Sequence, residues 1–167
     1  MADIKESIEG AVAYLSEHPD EARYTDSPAT ASLEEDLRAQ VAGPDDASVT
    51  TDMPGAVGGR GELPSPGWLL RAAVASCVAS TIGMEAAREG VALREAVVEV
   101  DSESDDRGIL GMDPGIPAGP YSMRLRIRVA ADGVDADRLR EIAERGAARC
   151  PVCDAVKRAV GVSVEVS

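Results

Sequence analysis

Along the first segment, apolar side chains recur at Ile4, Ile8, Val12 and Leu15, and this spacing of three to four predicts a helix over residues 3–18 that His18-Pro19 stops. The Pro/Asp/Ser-rich connector PDEARYTDSP follows, so residues 1–22 are set apart as a helical extension from a main domain of 23–167. The runs TASLEEDLRAQVA and ASVTTDM flank the turn-forming GPDD and predict strand, turn, strand. Residues 65–89 begin with Ser65 at an N-cap and Pro66 at the first helical position. From Leu69 to Met84 this helix carries one charge, Arg71, and is apolar or small nearly all round, which predicts a helix enclosed by protein. A membrane span is the competing reading of the same run, but the run is short and rich in Ser, Thr and Gly, so no membrane is expected.

The periodicity then changes to two. ALREAVVEVDSE and YSMRLRIRVAAD predict strands that pair across the Gly/Pro loop 107–120. In the second, Tyr121, Met123, Leu125, Ile127 and Val129 are expected inward, with Ser122, Arg124, Arg126 and Arg128 outward. DADRLREIAERGAAR returns to helical spacing, with Leu139, Ile142, Ala143, Gly146 and Ala147 on one face, and the alternating valines of VGVSVEV predict a closing strand. This order of elements is α+β.

Composition sharpens the picture in two places. The apolar 44% is Ala, Val, Leu and Ile with no Phe, one Trp and three Tyr, so the core is built of small side chains that let backbones approach closely. A formal charge of −13 repels phosphate backbones and anionic surfaces, which argues against nucleic acid as a partner. The arginine row of the second strand therefore reads as ion-paired with its neighbour strand or facing a dimer partner. The Gly-rich PGAVGGRGELP lacks the Gly-Lys-Ser/Thr ending of a phosphate-cradling loop. MADIKESIEG has neither a basic leader nor an apolar stretch, and a cytoplasmic location is expected.

Three cysteines in a 167-residue chain are too few and too odd to be a structural framework, and in a thiol-reducing compartment they point to reactive chemistry. Pro151 cannot continue the helix that runs through Arg149, so a new helix is expected to start with Cys150 as N-cap and Pro151 in its first turn. A sulfur there faces unpaired backbone N–H groups and the positive end of the helix dipole, which favours the thiolate. Cys153 lies one turn on as a partner. Cys77 sits in the Ala-rich helix with Ala73, Val74, Ser80 and Thr81 one turn to either side, where a small buried hydrophobe is the plain alternative. Zinc would need four ligands, and beyond the Cys-x-x-Cys only Cys77, His18 or carboxylates remain. A single histidine, His18, leaves no base for a Ser/His or Cys/His hydrolase and reads as a helix C-terminal residue.

PSPGWLLRAAVASCVASTIGMEAAREGV followed by ARCPVCDAVKRAVGVSVEV resembles the OsmC/Ohr family of osmotically inducible and organic-hydroperoxide-resistance proteins over residues 28–167. The loop SDDRGILGMDPGIPAGPY is similar to that of a divergent OsmC-like branch. The resemblance implies antiparallel sheets wrapped around two central helices in an intertwined homodimer, and a thiol peroxidase acting on organic hydroperoxides. It implies that Cys77 attacks the peroxide and Cys150 resolves the product as a disulfide, with a dithiol such as a lipoyl group as reductant and no metal or organic cofactor. The family's activating arginine maps best to Arg38, with Arg60 second. Its glutamate falls on Gly67, leaving Glu62 as the substitute. Helix position favours Cys150 as the leading sulfur, whereas the resemblance gives that role to Cys77. Two alternatives stay open: thiol–disulfide exchange through Cys150 and Cys153, and a non-enzymatic OsmC-like protein that binds an apolar ligand.

Overall fold

The structure, a computed structural model, describes residues 3–158 and 160–166. The leading helix forms as its spacing predicts, as α1 (Ile4–Glu17), and none of its residues is buried. The Asp3 carboxylate accepts the Lys5 and Glu6 N–H groups at its start. The chain divides into two compact units, one of Gly10–Leu70 and one of the flanking residues, chiefly those from Arg71 onward.

The smaller unit contains an antiparallel sheet of β1 (Thr30–Leu33), β2 (Ala39–Ala42) and β3 (Ser48–Thr51) in that order. The expected single hairpin is therefore a three-stranded meander, because TASLEEDLRAQVA is not one strand but two. The chain reverses at Asp36 and Leu37, both at positive φ, with the Arg38 N–H donating to the Glu35 carbonyl. Asp45 and Asp46 build the second reversal in the same way. Two successive positive-φ residues match the twist of a tight hairpin, and Asp tolerates that region through its short polar side chain. Leu37 has no such compensation, so no Asn-Gly or Asp-Gly signal marked this turn.

The larger unit holds the hydrophobic core. α2 (Pro66–Arg88) opens on the expected cap, with Ser65 Oγ accepting the Trp68 N–H at 3.2 Å. β4 (Leu93–Glu103) and β5 (Ser122–Ala131) form an antiparallel pair, separated by a loop carrying the one-turn helix α3 (Asp106–Ile109). α4 (Ala136–Ala148) and α5 (Pro151–Lys157) follow. Met123, Leu125, Ile127 and Val129 of β5 join Val98 and Val100 of β4 against Val74, Val78 and Ile82 of α2 and Ile142 and Ala143 of α4. A bulge at Arg94 shifts the phase of β4, which lets Leu93 reach the same core as Val98 despite their odd spacing. Ile82 and Ile142 are fully buried, each worth about 1.5–3 kcal/mol relative to exposure. Gly146 lets α4 approach α2 closely, since a Cβ there would stand 2.7 Å from the Ile82 Cα.

On the outer face of this sheet the arginine row is ion-paired as expected, with Arg124 on Asp101, Arg126 on Glu99 and Asp101, and Arg128 on Glu95. Three expectations are corrected. Tyr121 precedes the strand and is exposed. α2 buries Val74, Val78, Ile82, Glu85 and Ala86, one face only, while Trp68 and Met84 are exposed, so a single chain does not enclose it. Val160, Val162, Val164 and Val166 alternate as predicted, but residues 160–166 join no ladder and these valines are exposed. A strand needs a free sheet edge within reach, and alternation alone does not provide one.

Candidate active site

Three cysteines converge in the larger unit. The helix break at Pro151 occurs where the chemistry of proline puts it, and Cys150 is the N-cap of α5, its sulfur accepting the Cys153 N–H at 3.2 Å. α4 delivers Cys150 into the core, where it is fully buried beside Cys153 and the α2 residues Val74 and Val78. Cys77 is half-buried on α2, one residue before Val78, and packs on the same cluster. The Cys77 thiol lies close enough to the Cys150 thiol and to the backbone N–H of Val152 for both to act on its ionisation. Thus the helix start that caps Cys150 also addresses Cys77. All three thiols are free.

Burial pushes the Cys77 thiol above its ordinary value; the Val152 N–H opposes the rise and the adjacent Cys150 adds to it. None of these influences is a cation. Beyond the sulfurs, a charged cluster ties α2 to α4. Buried Glu85 meets Arg88, Arg145 and Arg149, and Glu89 meets Arg138 and Arg145. Arg149 immediately precedes Cys150, so this cluster anchors the chain at the point where it enters the core. No periodicity announced it, because Glu85 reads as a polar interruption of an apolar helix.

In the smaller unit, Arg38 immediately precedes β2 and pairs with Glu62, and its Nε lies 4.0 Å from Asp52. Arg60 instead binds Asp36 across the first reversal, at 2.7 Å from Nε. Asp52, which no periodicity or motif in the sequence marks, organises this arrangement. Its buried carboxylate accepts the N–H groups of Arg60 at 3.1 Å and Glu62 at 3.0 Å, folding the Gly-rich loop back on itself. Burial raises the Asp52 pKa, but the N–H groups of Glu62, Arg60 and Met53 and the charge of Arg38 outweigh it and hold the acid below its usual range. Gly59 is required there, since a Cβ would sit 1.9 Å from the Met53 carbonyl oxygen. The loop's N–H groups at Arg60 and Glu62 thus serve an internal carboxylate rather than a phosphate. Glu62 in turn reaches Arg38.

Among the described residues, no group of three or more His, Cys, Asp or Glu is arranged to hold a metal ion. His18 stands beside Glu21 near the end of α1 and stacks on Tyr14.

No curated protein matches the sequence. Among solved structures, an OsmC-like protein from Mycoplasma pneumoniae superposes with a TM-score of 0.69 at 16% identity, covering 82% of this chain and 91% of that one. An organic hydroperoxide resistance protein from Legionella pneumophila gives 0.59 at 18% identity over 80% and 90% of the two chains. One from Bacillus subtilis gives 0.54 at 18% identity over 86% and 98%. These likenesses establish the fold, and a family model described as OsmC-like protein matches residues 59–165, the span that carries the helix with Cys77 and the capped Cys150; the chain belongs to the OsmC/Ohr family.

Proposed function

We propose that the protein is a thiol-dependent peroxidase that reduces organic hydroperoxides through Cys77 and Cys150. The observation that carries this reading is that two free thiols, 73 positions apart in sequence, pack in one core cluster close enough for Cys150 to act on the ionisation of Cys77. The Cys77 thiolate attacks the terminal peroxide oxygen, the O–O bond breaks, and an alcohol leaves as Cys77 becomes a sulfenic acid. Cys150 then displaces water from that sulfur to form the disulfide, and an external dithiol, such as a lipoyl group, restores both thiols. The walls around the sulfurs are Val74, Val78 and Val152, which suits an apolar substrate.

Burial alone disfavours the attacking thiolate, so the reading requires a cation. Arg38, already paired with Glu62, is the residue proposed to supply it. The reading also includes a homodimer, which accounts for the uncovered face of α2 and the exposed valines 160–166. It also includes a cytoplasmic setting, where reduced thiols are maintained. Relatives of the same fold named as organic hydroperoxide resistance proteins support the substrate class.

Stopped-flow measurement with cumene hydroperoxide or a fatty-acid hydroperoxide tests it. Wild type is expected to consume peroxide and Cys77→Ser to lose that consumption. Equal inertness of the two would remove the peroxidase and leave the thiol–disulfide exchange and ligand-binding alternatives.

A further inference from the structure

The two-cysteine cycle leaves one sulfur without a task. An open cleft of about 250 Å³ is lined by Val74, Tyr121, Met123, Leu125, Cys153 and Lys157, among others. Cys153 therefore meets this cleft, whereas Cys150 is fully buried. Cys150 at the N-cap and Cys153 three residues on also bring their atoms close, since the Cys153 N–H already donates to the Cys150 sulfur at 3.2 Å. An N-cap side chain folds back over the third helical residue, so a disulfide between these positions needs only side-chain rotation.

We propose that Cys153 is a third redox residue that carries the disulfide from the buried pair to the cleft, where the reductant acts. The inference rests on the peroxidase reading for the source of the Cys77–Cys150 disulfide. The Cys153 thiolate attacks the Cys150 sulfur, the Cys77–Cys150 bond breaks, and Cys77 leaves as a thiolate that takes up the proton Cys153 released. No electrons are gained or lost in this exchange. A dithiol entering the cleft then attacks Cys153, frees Cys150, and closes on itself to release Cys153, delivering two electrons and two protons. Lys157, one turn beyond Cys153 on the same helix face and lining the same cleft, places a positive charge where the sulfur anions of this step develop. Exchange also returns Cys77 to its thiol before the reductant has acted.

Trypsin separates the two disulfides cleanly, because Arg71, Arg88, Arg149 and Lys157 place Cys77 in peptide 72–88 and the other two cysteines together in 150–157. Wild type is oxidised in parallel with one equivalent of cumene hydroperoxide and with diamide, which oxidises neighbouring thiols without peroxide chemistry. The expected result is an early cross-link of 72–88 to 150–157 that gives way to a 150–157 peptide lighter by two hydrogens. Cys153→Ser and Cys153→Ala should hold the cross-link, and dithiothreitol should reduce it roughly tenfold more slowly or worse, because its sulfurs lack a partner at the cleft. A cross-link that persists in wild type under both oxidants, and is reduced equally fast in the variants, would overturn the relay while leaving the peroxidase intact. If peroxide oxidises nothing but diamide yields the cross-link and then, at its expense, the 150–157 peptide lighter by two hydrogens, the exchange stands and the peroxidase falls.

Discussion

Gly146→Ala sets helix propensity against packing, and the two predict opposite signs. Gly146 lies inside α4, where alanine would favour the helix by about 1 kcal/mol. The added Cβ, however, would lie 2.6 Å from Ile82 Cγ1 and 2.7 Å from both the Cα and the backbone nitrogen of Ile82. A rotamer change could move Cγ1, but the two backbone atoms move only if α2 and α4 separate. Overpacking of that kind costs about 3 kcal/mol, at the upper end of the usual range. The net expectation is a loss of about 2 kcal/mol, or a fall in Tm of about 4–8 °C for a chain of this size. Thermal and urea unfolding of wild type and variant at equal protein concentration measure it. The separation also carries Cys150, four residues on, away from Cys77, so diamide should form the cross-link between them more slowly. A variant as stable as wild type or more so would show that the close α2–α4 approach does not limit this core.

Three further outcomes are expected. Glu85→Gln leaves Arg88, Arg145 and Arg149 without their shared carboxylate and should destabilise by about 1–3 kcal/mol in denaturant titration, less than for wholly buried partners because these arginines still reach water. Cys150→Ser keeps an N-cap acceptor for the Cys153 N–H, which offsets part of the cost of burying a hydroxyl where the sulfur is fully enclosed, so its Tm should fall by no more than about 4 °C, while peroxide should leave a sulfenic acid on Cys77 detectable by dimedone labelling. Asp52 has a folded pKa below its ordinary 3.8, so its stabilisation is full above that value and lost as pH falls through the lower folded value. Asp52→Asn should therefore lower stability at neutral pH and flatten its dependence below about pH 4; an unchanged acid limb would count against this role.

Much of the molecule was legible from local pattern, because the forces that set it are local. The Ser65 cap, the strand alternation from Met123 to Val129 and the helix break at Pro151 with Cys150 as its cap all follow from chain stereochemistry and period. The Leu37 reversal escaped notice because it uses a backbone conformation that leucine does not advertise. Valines 160–166 have the alternation of a strand, but whether they pair depends on an edge elsewhere.

The sequence by itself determined where helices begin and end, which faces are apolar, and that a sulfur would stand at the start of α5. Only the tertiary structure decided that Cys77 and Cys150 are neighbours, that the Asp52 carboxylate accepts the N–H groups of the glycine loop, and that Arg38 holds Glu62. These are meetings between residues far apart in the chain, and no periodicity encodes them. They depend on how closely small residues such as Gly146 let whole elements approach.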